Sequence, residues 1–250
     1  MGHISPGNGK IREAIVDGIF YPSDEEGLAT LVTELLDQSA VQPGNPFAII
    51  SPHAGYTYAG KLMADAFKAA SGRQVRDIVI LAPLHARRKE GIFLPESAFF
   101  LTPLGSVPVN TDLVEELLAC GTGILGEDIP HLEEHCIEVQ LPFIRKLFPA
   151  ARIVPILMGD SSPGTMKMLS NALQLTFSSR YKHTLFVVTS NMSGYREKEG
   201  SEKEAALLIG KMDAMDWRGI MEMKAKGDIS ACGAACIATL LSFNTVTLAS

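Results

Sequence analysis

The sequence predicts an α/β protein, a mostly parallel central sheet flanked by helices in three layers. Three observations carry that expectation. Residues 47–50, 77–82, 153–158 and 184–189 are continuous apolar runs rather than alternating ones, the pattern of parallel strands buried on both faces. The segments between them repeat apolar residues at the three-and-four spacing of a helical face. Two of the runs lead into a proline followed within two residues by a histidine, His53 and His85. Strand-to-helix turns of that kind line the crevice where open α/β sheets bind ligands.

The elements follow in order. Residues 1–11 are polar and glycine-rich, expected to be a loose tail and no signal peptide. Ser23 and Glu26 have capping-box spacing and open a helix with Leu28, Leu31, Val32 and Leu35 on one face. Residues 42–46 form a turn-rich link to the first strand. Gly55 is placed for a sharp turn with positive φ, after which Ala59, Leu62, Met63, Ala66, Phe67 and Ala70 mark a helix. Residues 91–110 hold short apolar pieces broken by prolines, a hairpin or edge excursion. Leu113, Val114, Leu117 and Leu118 give a short helix. His135 and Glu138, three apart, are expected to share a helical face, and Pro142 opens the next helix. Ser162-Pro163 is a cap followed by a first-turn proline. Ser201 with Glu204 reads as a second capping box, residues 230–241 as a turn and a last helix, and residues 243–249 as a final strand. With no repeat, low-complexity tract or linker, 1–250 reads as a single domain.

Composition narrows the function. A net charge of −6 and a pI near 5.5 argue against a nucleic-acid or anionic-membrane surface. The basic patch Arg87-Arg88-Lys89 is small and followed at once by Glu90. No apolar run is long enough to span a bilayer. Four cysteines without a secretory signal suggest reduced thiols and a cytoplasmic location.

Several stretches together resemble the MEMO family, also described as AmmeMemoRadiSam system protein B. The resemblance begins near Arg12-Glu13-Ala14-Ile15-Val16-Asp17-Gly18-Ile19-Phe20-Tyr21-Pro22-Ser23-Asp24 and runs to Ala231-Cys232-Gly233. Its most specific piece is Pro52-His53-Ala54-Gly55-Tyr56-Thr57-Tyr58-Ala59-Gly60. Glu134-His135-Cys136-Ile137-Glu138-Val139-Gln140-Leu141-Pro142 is similar to a second signature, typically EHSIEVQLP. The resemblance implies a fold shared with LigB-type class III extradiol dioxygenases, which are non-haem iron enzymes. It also implies a site at His53, His85 and Cys232. In the family's S-S-D-x-S-H-Y turn this chain has Asn191 for the aspartate and Gly194 for the histidine, and Leu84 stands where a serine often precedes the second histidine.

Two neutral imidazoles and a thiolate suit iron, copper or zinc, with an open position for water or substrate. His135, Glu138 and Asn191 are candidate supporting residues, orienting a ligand imidazole or a strand end; helix capping and ion pairing compete as roles for the first two. Cys236 reads as core, Cys120 has no site context, and His3, His131 and His183 read as surface residues. Three functions stay open. One is a cytoplasmic protein binding a metal ion or small ligand in a His/His/Cys cleft, its catalysis unknown or lost. The second is a LigB-like dioxygenase with a carboxylate third ligand such as Glu138. The third is a non-catalytic module binding a peptide or partner in the cleft. A carboxylate close to both histidines favours the second, Cys232 close to both the first, and an apolar cleft the third. Oligomeric state is not legible.

Overall fold

The computed structural model describes residues 9–85, 89–194 and 197–247, with side chains described to Phe243 in the last helix. His3, Arg87, Arg88, Tyr195 and the first eight residues of the expected tail lie outside it. The chain runs β1 (Ile11–Arg12), α1 (Glu25–Gln38), β2 (Ala48–Ser51), α2 (Tyr56–Ala70), β3 (Asp77–Pro83), β4 (Ile92–Leu94), β5 (Phe99–Thr102) and β6 (Gly105–Pro108). Then come α3 (Thr111–Leu118), β7 (Ile124–Gly126), α4 (Asp128–Glu133), α5 (Leu141–Leu147), β8 (Arg152–Met158), α6 (Pro163–Phe177) and β9 (Thr184–Thr189). The chain continues with α7 (Lys198–Asp213), α8 (Trp217–Lys226) and α9 (Ala234–Thr247).

The four apolar runs are β2, β3, β8 and β9. They form the parallel part of a six-stranded sheet ordered β2-β9-β3-β8-β4-β7. The β4–β8 pairing is antiparallel, and β7 runs parallel to β4 at the far edge. Burial of Ile78 to Ala82 and of Leu185 to Val188 explains the runs: both faces of these strands are covered, so no polar alternation is selected. Helices α1, α2 and α5 pack together, with α2 against β2, while α6, α8 and α9 form a second group, with α9 against β3 and β9. Phe67 stacks on Phe143 in the first group, and Phe47, Phe186 and Phe243 stack in the second. The 91–110 excursion divides: β4 joins the main sheet, while β5 and β6 make an antiparallel hairpin in a small sheet with β1. No helix among the described residues is long and apolar enough to cross a membrane.

Local expectations fail where tertiary contacts take the residue. Ile11 is no part of a loose tail, because it pairs with Phe99 in β1. Asp24, not Ser23, caps α1 by accepting from the Gly27 N–H. Helix α7 starts at Lys198, so Ser201 lies inside it and the Glu204 carboxylate reaches Ser230 instead of a cap. Gly55 has φ −57° and simply precedes α2. Residues 243–247 of the expected final strand continue α9, because Phe243 packs against Phe47 and Phe186 on the sheet, and packing outweighs β propensity; residues 248–249 lie outside the described residues. By contrast Ser162 caps α6 through the Thr165 N–H, with Pro163 in the first turn.

Candidate metal centre

The strand order places the site. His53 lies two residues beyond β2 and His85 two beyond β3, with β9 running between those strands. The end of β9, Thr189-Ser190-Asn191, therefore forms a floor between two histidine turns at the carboxyl edge of the sheet. Cys232 arrives from the other end of the chain, in the turn before α9. Gly233 is what lets it approach: a Cβ there would lie 2.4 Å from the Thr189 carbonyl oxygen, and its own N–H donates to Ser190 Oγ at 3.0 Å. Only glycine permits that contact between backbones.

One ligand atom from each of His53, His85 and Cys232 lies within 4.8 Å of the others. The two imidazole rings meet edge-on at 5.2 Å between centroids. Cys232 Sγ is 3.2 Å from His53 Nε2, and the Asn191 N–H donates to it at 3.2 Å. His53 Nδ1 lies 3.1 Å from Thr189 Oγ1. A hydroxyl can accept from or donate to Nδ1, so the ring can turn an N–H or, for a metal, a lone pair at Nε2 toward the sulfur. Burial raises the Cys232 thiol, but hydrogen bonds from His53 and His85 outweigh it and bring the pKa down to about 5. The sulfur and then Glu134 raise His85 to about 10. The pair is a thiolate beside an imidazolium around neutral pH.

Glu134 is the residue that sequence reasoning missed, although it stands next to His135 in a quoted stretch. Its carboxylate is buried. Oε2 lies 3.2 Å from His85 Nδ1, and Oε1 accepts from the backbone N–H of His135 and Cys136. Burial works against its ionisation, but donors from His135, His85 and Cys136 hold the carboxyl well below the usual carboxylate range. Thr189, the partner of His53, was missed as well; it was legible only as the last residue of an apolar strand. Cys136, which stands where EHSIEVQLP carries serine, is buried with Sγ 3.4 Å from His85 Nδ1.

His135 and Glu138 do not share a helical face. Helix α4 ends at Glu133, and Glu138 begins a separate 3-10 turn, so the two side chains diverge. The His135 ring stands 5.9 Å from His53 and 6.0 Å from His85, with Phe20 edge-on at 4.9 Å. Glu138 stays out of this cluster. It forms a fully buried ion pair with Arg12 and accepts from the Ile15 and Val16 N–H groups and the Tyr21 hydroxyl. Arg12 also donates to the carbonyls of His131 and Glu134, fixing the backbone that carries the Glu134 carboxylate. Gln140 ties the same segment to the first histidine turn through Ser51 Oγ and the Pro52 carbonyl. Asn191 reaches both halves: its N–H meets Cys232, and its Oδ1 lies 3.5 Å from the His53 N–H. His131 is buried rather than on the surface, 3.1 Å from the Phe93 carbonyl oxygen, and burial drops its pKa to about 3. Cys236 packs in the core against Met158.

Fold and donor set together define an α/β protein with a His/His/Cys cluster over the carboxyl ends of its parallel strands. The Memo-like protein family matches residues 12–248, and the chain belongs to that family. It is 32% identical over 244 residues to a MEMO1 family protein of Thermotoga neapolitana, covering 93% of this chain and 88% of the relative. A MEMO1 family protein of Pyrobaculum arsenaticum is 30% identical over 258 residues, covering 96% and 90% respectively. One from Nitrosopumilus maritimus is 28% identical over 239 residues, covering 92% and 86%.

Proposed function

We propose that this protein binds one iron, copper or zinc ion through His53, His85 and Cys232, at a cleft that leaves a position for a small ligand. The observation that carries the reading is the convergence of those three donors within 4.8 Å. Metal–nitrogen and metal–sulfur bonds of about 2.0–2.3 Å fit a single ion between donors so spaced. The donor set also fits chemically. Thr189 and Glu134 each take one nitrogen of a ligand imidazole, which orients the rings, and the sulfur already favours its anionic form. A bound ion would supply Lewis acidity toward whatever occupies the open position. Around it, Asn191 directs an N–H at the sulfur and His135 walls the cleft beside Phe20. Reduced thiols at such a site suit a cytoplasmic location.

The dioxygenase reading is less well supported. It asks for a carboxylate among the ligands of an iron held by both histidines. Glu138 is committed to Arg12, Glu134 touches His85 from its far neighbourhood with Cys136, and Asn191 is neutral. The peptide-binding module draws no support from a cleft edge built of imidazoles and a thiolate. Elemental analysis of purified, untagged protein tests the proposal. Wild type is expected to carry about one equivalent more transition metal than His53→Ala. Equal metal content in the two proteins, both folded, sinks it.

A further inference from the structure

His85 belongs to two groups of donors. The first is the His53 and Cys232 set; the second is His85, Glu134 and Cys136, whose ligand atoms also all lie within 4.8 Å of one another. In the second group His85 Nδ1 is 3.2 Å from Glu134 Oε2 and 3.4 Å from Cys136 Sγ. An independent feature marks the same place. Glu134 is a carboxylate with its side chain 1% exposed, yet among the described residues no lysine or arginine ion-pairs with it. Its partners are backbone N–H groups and the imidazoles of His85 and His135, the latter 3.1 Å from Oε1. Glu134 is thus held by imidazoles and backbone N–H groups alone, and once His85 gives up its proton the buried carboxylate is a place where a bound cation is favourable.

We infer that His85, Glu134 and Cys136 form a second cation position beneath the first, selective for a borderline divalent ion such as zinc. One carboxylate and one thiolate balance a divalent charge, and imidazole, thiolate and carboxylate are all ligands zinc accepts. The position is reached past His85, whose side chain is 41% exposed while Glu134 and Cys136 are buried. Binding displaces the Cys136 thiol proton and the His85 Nδ1 proton to solvent and forms bonds from the ion to Sγ and Nδ1; no electron is transferred. The inference shares His85 with the proposed function but uses a different sulfur, so the two readings fail separately.

Titration with Co(II) alone, in a Cys120→Ser background, reads each sulfur through its thiolate-to-cobalt charge-transfer absorption. Cys232→Ser is expected to keep a saturable band, and Cys232→Ser with Cys136→Ser to lose it. Glu134→Gln placed on Cys232→Ser should weaken the retained binding at least about tenfold, which keeps a test in hand should Cys136→Ser unfold. A folded Cys232→Ser protein with no band, or a band that survives loss of Cys136, overturns the inference. Cys136→Ser alone reports on the first set: a band there supports the proposed function, and its absence there with a band in Cys232→Ser leaves only the second position standing.

Discussion

At the scale of single residues, the chemistry of the centre lies in one shared proton. Cys232, lowered to about 5, and His85, raised to about 10, form a thiolate–imidazolium pair between those values. A metal needs both donors deprotonated, so over that window it must displace the His85 proton and no proton from sulfur. Zinc affinity is expected to climb about tenfold for each pH unit from 6 to 9, and isothermal titration at several pH values measures it. An affinity that does not change over that window would mean that His85 is already neutral in the free protein. Such pairing was half legible. His53 and His85 announce themselves because each follows a proline at the end of an apolar run. Glu134 does not, because nothing in Leu132-Glu133-Glu134-His135 tells the carboxylate that is buried from the one beside it. His131 hid for the same reason: burial of a polar side chain is decided by Arg12 and Phe93, far away in sequence.

Among the elements, the buried central strands were readable and the connecting segments were not. Double-sided burial writes β3, β8 and β9 directly into composition. The stretch 134–141 instead takes its shape from Arg12, Ser51 and Tyr56, which bond to Glu134, Glu138, Val139 and Gln140. No local spacing encodes those contacts, so His135 and Glu138 looked like helical neighbours. The Arg12–Glu138 pair fastens the N-terminal segment to this stretch. Glu138→Gln leaves a buried guanidinium without its counter-charge and is expected to cost about 3–5 kcal/mol, measured by urea unfolding. A loss well under 1 kcal/mol would mean that water reaches the pair. The turn after β9 permits a constructive test. Gly194 has no positive φ, and a Cβ there meets nothing nearer than Ser230 at 4.0 Å. Asn191→Asp with Gly194→His is therefore expected to fold with wild-type stability. If that turn faces the ion, zinc binding should tighten about tenfold or more; unchanged affinity in the folded variant would turn Gly194 away from it.

For the whole molecule, the donors hang from a sheet that is complete without them. Hydrophobic burial across β2, β9, β3 and β8 holds the edge together, unlike small metal domains that unfold when stripped. Chelation is expected to leave the circular dichroism spectrum unchanged. Free ion at about a hundred times Kd should add back about 2.7 kcal/mol of stability, read as a higher midpoint in thermal or urea unfolding. Loss of secondary structure on chelation would show the ion to be part of the fold.

The reach of the chain between donors sets an order in time. His53 and Cys232 are 179 positions apart, so a ribosome must finish most of the protein before the first set of ligands exists. His85 and Cys136 are only 51 apart. A chain still being made owns the second pair of donors long before the first, but neither is held until β8 and β9 close the sheet around β3. Ion capture at the His53 edge, as proposed, would therefore be an event in the life of the finished protein, drawing on whatever the cell then offers. It would belong to maturation, not to synthesis.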